Sequence, residues 1–203
     1  KNILIIDVRS PAEFEHAHIP NALNLPLFNN EERKVVGTAY KQKSREDAIK
    51  IGLNYFGVKM AAMIEFVEDI ISKSKNKPEQ HQLNIVVHCW RGGMRSAGVA
   101  WLLDLYGFKV NIIIGGYKSY RNWVLKQFDV NYNFKVLGGY TGSGKTETLY
   151  SLQKLGATVI DFEKLAGHKG SAFGNLAEIP QPSQEMFENN LALELFSKKE
   201  NII

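Results

Sequence analysis

The sequence predicts an α/β protein: a parallel sheet flanked by helices, followed by the start of a second α/β unit. Three observations carry this expectation. Short apolar runs at 3–8, 83–88 and 110–114 alternate with amphipathic stretches, as in parallel strands buried on both faces and joined by helical crossovers. The second run leads into a glycine-bearing loop around the only cysteine, Cys89. A second glycine-rich loop, at 139–146, lies between another apolar run and another helical pattern.

The elements follow in order. The run at 3–8 starts almost at once, so some N-terminal sequence is expected to be missing. Ser10-Pro11-Ala12-Glu13 then reads as a capping box: serine at the N-cap, proline at the first helical position, glutamate three after the cap. That helix runs to about 16, and the stretch 18–26 reads as a turn and a short strand. Residues 31–75 are charged and amphipathic, closed by Pro78, and predict two helices. After the strand at 83–88 come a helix at 96–106, a strand at 110–114, the turn Gly115-Gly116 and a helix at 117–128. This first domain is expected to span 1–128, with a linker at 129–133. The second, 134–203, shows a strand at 134–138, a helix at 145–155, a strand at 158–161 and a helix beginning near Gln184. Two strands are too few for a doubly wound sheet, so C-terminal truncation is expected.

Composition narrows the class. The chain has 203 residues, 44% of them hydrophobic, as in an ordinary globular protein. No apolar run approaches the roughly 20 residues that cross a bilayer, so no membrane partner is expected. A single cysteine cannot make an internal disulfide and no export signal is visible, which predicts a reducing cytoplasm. The net charge of +4 permits phosphate-rich partners without demanding them.

Cys89 sits where a parallel strand ends and a helix begins, the place where α/β sheets bind ligands. Its loop continues Trp90, Arg91, Gly92, Gly93, Met94, Arg95. Inward-facing N–H groups, the helix N-terminus and two arginines all favour thiolate over thiol and would cradle a tetrahedral anion beside the sulfur. Gly92 and Gly93 permit close approach or a positive φ. Trp90 either walls the pocket, stacks on a base or simply packs.

Gly139-Tyr140-Thr141-Gly142-Ser143-Gly144-Lys145-Thr146 fits G-x4-G-K-[ST] at every fixed position, in the strand–loop–helix setting that this phosphate-binding loop requires. Lys145 would neutralise the outer phosphates, and Thr146 would hold Mg²⁺ if the ion is used. Asp161, ending the next apolar run, is read either as facing the phosphates or as a helix N-cap. Basic groups at His168, Lys169, Lys118 and Arg121 are candidate ligand or RNA contacts. No tightly bound cofactor is expected.

The residues also carry a resemblance. Asp7-Val8-Arg9, Ser10-Pro11-x-Glu13-Phe14 and His18-Ile19-Pro20-Asn21-Ala22 resemble the opening of a rhodanese domain, as do the cysteine loop and the later Gly115-Gly116-Tyr117 turn. Such domains carry sulfur as a cysteine persulfide. Common sulfurtransferases place four residues between the cysteine and the last arginine; here there are five, Cys89 to Arg95. That larger loop resembles those of the tyrosine and cell-division-cycle phosphatases and has room for a bulkier anion.

Fused to a phosphate-binding loop, the Cys89–Ser96 segment and the stretch 161–174 resemble the tRNA 2-selenouridine synthases over essentially the whole chain. The resemblance implies conversion of wobble 2-thiouridine to 2-selenouridine on tRNA, with selenophosphate as donor. It also implies an S-geranyl intermediate made from geranyl diphosphate, and Cys89 as the residue needed for selenation. The glycine-rich loop at 139–146 would then hold geranyl diphosphate or a nucleotide. Rival readings are a Cys-x5-Arg phosphatase, a plain sulfurtransferase, and a nucleotide-binding regulatory module with an inactive rhodanese domain.

Overall fold

The computed structural model describes residues 3–73, 84–140, 142–167, 181–198 and 202. The chain divides into two compact units, Lys1–Tyr120 and Arg121–Ile203.

The first unit is built on four parallel strands, β1 (Ile3–Asp7), β2 (Leu23–Asn24), β3 (Asn84–His88) and β4 (Lys109–Ile112), in the order β2-β1-β3-β4. The two central strands are buried on both faces, which is why they read as unbroken apolar runs. Ile6, Ile85 and Val87, with Val8 just past β1, have no exposed surface. Register pairs Asp7 with His88, so the ends of the central strands finish side by side, next to Cys89.

Helix α1 (Pro11–His16) begins at the expected cap: the Glu13 carboxylate accepts from the Ser10 N–H at 3.0 Å and its hydroxyl at 3.1 Å. The stretch expected to hold two helices holds three: α2 (Asn30–Gln42), α3 (Arg45–Gly57) and α4 (Met60–Lys73). Ser44 makes the additional break. It leaves helical geometry and its hydroxyl accepts from the Asp47 N–H at 3.0 Å, starting a new helix inside a continuous amphipathic pattern. α4 and α5 (Met94–Leu105) supply Met63, Val67, Val99, Leu102 and Leu103 to the core under β1 and β3. α6 (Gly116–Gln127) follows β4.

Arg9 is 2% exposed and Asp7 fully buried. The guanidinium donates Nε to both carboxylate oxygens, at 3.0 and 2.9 Å, and Nη2 to Oδ2 at 2.6 Å. The Arg9 backbone N–H adds a further bond to Oδ1 at 3.0 Å, and Nη2 also reaches the Ala17 carbonyl at 2.8 Å. The other face of the guanidinium lies 3.9 Å from the ring centroid of Tyr117.

The second unit contains α7 (Lys145–Lys154), α8 (Phe162–Ala166) and α9 (Gln184–Ser197). Its expected strands at 134–138 and 158–161 form only isolated bridges: Phe134 and Thr158 each pair in parallel with Ile202. A strand requires a ladder, and among the described residues Ile202 alone offers these segments a partner. Ile202 is 1% exposed and packs with Ile160, Leu191 and Leu195. No helix among the described residues is long and apolar enough to cross a membrane.

Replacing Asp7 with Ala strands a buried guanidinium, so Asp7→Ala is expected to cost about 3–5 kcal/mol. A lowered urea midpoint for the first unit, followed by circular dichroism, is the check; an unchanged midpoint contradicts it.

Candidate active site

The cysteine loop is held from behind. The Tyr117 and Lys118 N–H groups, in the first turn of α6, donate to the carbonyls of Cys89 and Trp90, both at 2.9 Å. These bonds turn two loop carbonyls toward α6. The Arg91 and Ser96 N–H groups reach the Cys89 sulfur. Gly92 has φ +68°, and a Cβ there would come within 2.6 Å of the Ile113 carbonyl. Gly116, at φ +58°, passes so close to the loop backbone that a Cβ would lie 2.5 Å from the Gly92 nitrogen. The loop and the Gly115-Gly116 turn therefore interlock, and both need glycine. Gly93 is the N-cap of α5, and Met94, its first residue, is 52% exposed.

Cys89 is 4% exposed, and its Sγ lies 3.4 Å from the Ser96 Oγ. That hydroxyl also sits 3.0 Å from the Gly93 carbonyl. The hydroxyl has one proton, which can serve the carbonyl when Cys89 is a thiol and turn to the sulfur when it is a thiolate. Burial pushes the Cys89 thiol up. Hydrogen bonds from the Ser96 hydroxyl and the Ser96 and Arg91 N–H groups, with the Arg95 charge, outweigh it and hold the thiol below its ordinary value. His88 beside it is fully buried, and among the described residues neither ring nitrogen has a hydrogen-bond partner. Burial holds its pKa below the ordinary value, against the pull of Asp7, so the ring is neutral.

Arg95 does not stand free. Its Nη1 donates to Glu13 Oε2 at 2.9 Å, and Arg33 Nε lies 3.6 Å from the same oxygen. Burial raises the Glu13 carboxyl, but Arg95 and the Ser10 N–H more than compensate and hold it below its usual range. Glu13 thus orients Arg95 and cancels part of its charge. Arg91 and Trp90 are exposed on the rim.

In the second unit the phosphate-loop residues 142–146 wrap the start of α7. Gly142 and Gly144 have φ of +81° and +76°, and Gly144 is the N-cap. A Cβ on Gly139 would meet Ser143 Oγ at 2.8 Å. The Lys145 ammonium donates to the Gly139 and Tyr140 carbonyls at 3.0 and 3.1 Å, folding back on its own loop. Lys145 and Thr146 border a cavity of about 360 Å³ with Leu137, Leu149, Ile160 and Asp161. Asp161 is the N-cap of α8, accepting from the Lys164 N–H at 2.9 Å. Thr141, His168 and Lys169 lie outside the described residues.

Of the basic RNA candidates, Lys118 is exposed. Arg121 is engaged: it bonds Glu188 at 2.5 Å and the Asn189 side-chain oxygen at 2.7 Å, and is 14% exposed. It ties α6 to α9 and has little charge to spare.

The chain matches two family models, the rhodanese-like domain over residues 1–122 and the tRNA 2-selenouridine synthase AAA domain over residues 132–202. It is 41% identical over 206 residues to a tRNA 2-selenouridine synthase of Bdellovibrio bacteriovorus, covering 100% of this chain and 52% of that protein. Identity to the Nitrosomonas europaea tRNA 2-selenouridine synthase is 39% over 203 residues, covering 97% and 50%. The chain belongs to the tRNA 2-selenouridine synthase family. It spans about half the length of the curated relatives it matches. Among solved structures it is similar to the N-terminal domain of a Clostridium difficile 630 protein, with TM-score 0.54 and 39% identity over 61% of this chain and 90% of that one.

Within this synthase-family chain, sequence reasoning missed Glu13 and Ser96 as parts of the cysteine site. Glu13 was fully accounted for by its capping box, and no local signal announces a partner 82 residues away. Ser96 was legible in principle: seven residues after Cys89, it falls in the first turn of the helix that the loop caps.

Ser96→Ala removes a donor that favours the thiolate, so the Cys89 thiol titrates at higher pH and reacts more slowly near neutrality. Ser96→Thr should preserve the profile. Iodoacetamide alkylation rates against pH test this; a profile unmoved in Ser96→Ala refutes it.

Proposed function

We propose that this chain carries the two ligand-binding loops of an enzyme that modifies the tRNA wobble uridine, replacing the sulfur of 2-thiouridine with selenium. The carrying observation is the Cys89 loop: a buried thiol biased toward thiolate by N–H groups, a hydroxyl and an arginine. Family membership supports tRNA as the substrate. Selenophosphate, a tetrahedral anion, suits a loop with Arg91, Arg95 and free N–H groups. Among the described residues the N–H groups of Gly92 and Gly93 donate to no backbone carbonyl.

The second loop suits a different phosphate ester. The cavity beside Lys145 and Thr146 is lined largely by apolar side chains, and its size lies within the roughly 300–1,000 Å³ of small-molecule sites. Geranyl diphosphate matches this pairing: diphosphate on the loop, hydrocarbon in the cavity. Thr146 and Asp161 supply hard oxygen donors of the kind Mg²⁺ takes. The balanced sequence has two stages. The thiouridine sulfur attacks the first geranyl carbon and diphosphate leaves. Selenium then takes the place of geranylthiolate at the base, as the P–Se bond breaks and water receives the phosphoryl group. Cys89 is the group set against the donor's selenium.

A Cys-x5-Arg phosphatase is the second reading, favoured by the Ser96 hydroxyl at the sulfur and the oriented Arg95. It predicts turnover of aryl phosphates without tRNA or selenium.

In the full-length enzyme, Cys89→Ala should abolish selenouridine formation and leave S-geranylation intact. Lys145→Ala should slow geranylation on the order of 100-fold or more, the scale of losing one donor to developing charge, and selenation of 2-thiouridine RNA should fall with it. Mass spectrometry of the wobble nucleoside reads both. Selenation at the wild-type rate by Cys89→Ala ends the reading.

A further inference from the structure

The indole of Trp90 follows Cys89 directly and is 39% exposed. It is not loosely held. Its ring centroid lies 5.8 Å from that of Tyr117, which is fully buried. Tyr117 in turn has the Arg9 guanidinium 3.9 Å from its ring centroid, and Arg9 is locked by Asp7. The Trp90 carbonyl is pinned by the Lys118 N–H at 2.9 Å. A continuous chain of contacts from the buried ion pair outward, ending in the tilted Tyr117–Trp90 ring pair, therefore supports an exposed aromatic face beside Cys89.

The surroundings select a ligand class. Arg91 and Lys118 are exposed next to Trp90 in the chain and across the loop. Arg45, from α3, places its Nη2 3.9 Å from the sulfur of the half-exposed Met94. No acid pairs with Arg91, Lys118 or Arg45 among the described residues. Arg95 is compensated by Glu13. A firm aromatic face with uncompensated cations around it suits an unstacked nucleobase on a phosphodiester chain: the base stacks and the cations take the backbone.

We propose that Trp90 is the platform on which the target pyrimidine of the RNA stacks, bringing its C2 edge toward Cys89, with Arg91, Lys118 and Arg45 holding the flanking phosphates. This assignment rests on the tRNA reading above and goes beyond it by naming the residue that receives the base. Loss of a stack costs base binding, whereas loss of a merely structural tryptophan would perturb the thiol and every RNA alike.

The test uses full-length enzyme with two anticodon stem-loop RNAs, one carrying wobble 2-thiouridine and one abasic at that position. Trp90→Ala should weaken binding of the first by about 5- to 150-fold, the scale of one base–aromatic stack. The abasic RNA should bind as it does to wild type. Trp90→Phe should retain most of the preference. In turnover, KM for the RNA should rise in Trp90→Ala while KM for selenophosphate and RNA-free alkylation of Cys89 hold. If Trp90→Ala keeps the wild-type preference for the base-bearing RNA, or weakens both RNAs equally, the assignment is wrong while the tRNA reading stands. If wild type binds neither RNA, the tRNA reading itself fails and takes this assignment with it.

Discussion

The first unit turns on the buried pair of Asp7 and Arg9. Taking both charges out of water is costly, and the geometry answers that cost with a guanidinium engaged on both carboxylate oxygens, on the Ala17 carbonyl and on the face of Tyr117. Each bond fixes a different part of the chain. The Ala17 contact sets the exit from α1. The Tyr117 contact sets the start of α6, whose N–H groups then hold the cysteine loop. Because register places His88 opposite Asp7, the pair sits directly beside the strand end that delivers Cys89. An apolar substitute could fill the volume but could not aim three separate segments at one point.

Electrostatics at the cysteine loop are correspondingly local. Arg95 is the obvious source of positive potential, yet Glu13 takes much of it. Ser96 contributes more than Arg95 to lowering the thiol, through its hydroxyl and its N–H, because these dipoles lie against the sulfur in a region shielded from water. The carboxylate has another consequence. It holds Arg95 in one orientation, so the anion proposed for this loop would not have to order a flexible side chain on arrival. The interlocked glycines perform the same service for the backbone.

Much of this was legible in the residues. Apolar runs buried on two faces identified β1 and β3, Ser10-Pro11 with Glu13 marked the start of α1, and the glycines after Cys89 marked the loop that joins β3 to α5. What escaped depends on contacts distant in sequence or on competing local signals. Ser44 breaks an amphipathic stretch whose hydrophobic period runs on past it, so periodicity alone joined two helices. The runs at 134–138 and 158–161 have strand composition, but composition cannot supply a ladder partner, and each makes one bridge to Ile202. Glu13 had a sufficient local role, which hid its distant one.

Net charge is a poor guide to which residues a polyanion meets. Of the arginines, Arg9 is buried against Asp7, Arg95 is compensated by Glu13, and Arg121 is held by Glu188 and Asn189. Arginine's planar fork suits it to such internal pairs, where each bond is gained at little entropic cost. The positive charge left for a partner around the cysteine loop is therefore smaller than the sequence implies, and it is concentrated at Arg91, Lys118 and Arg45. A few uncompensated cations around one aromatic face give a short footprint, suited to positioning a single nucleotide rather than gripping a long duplex.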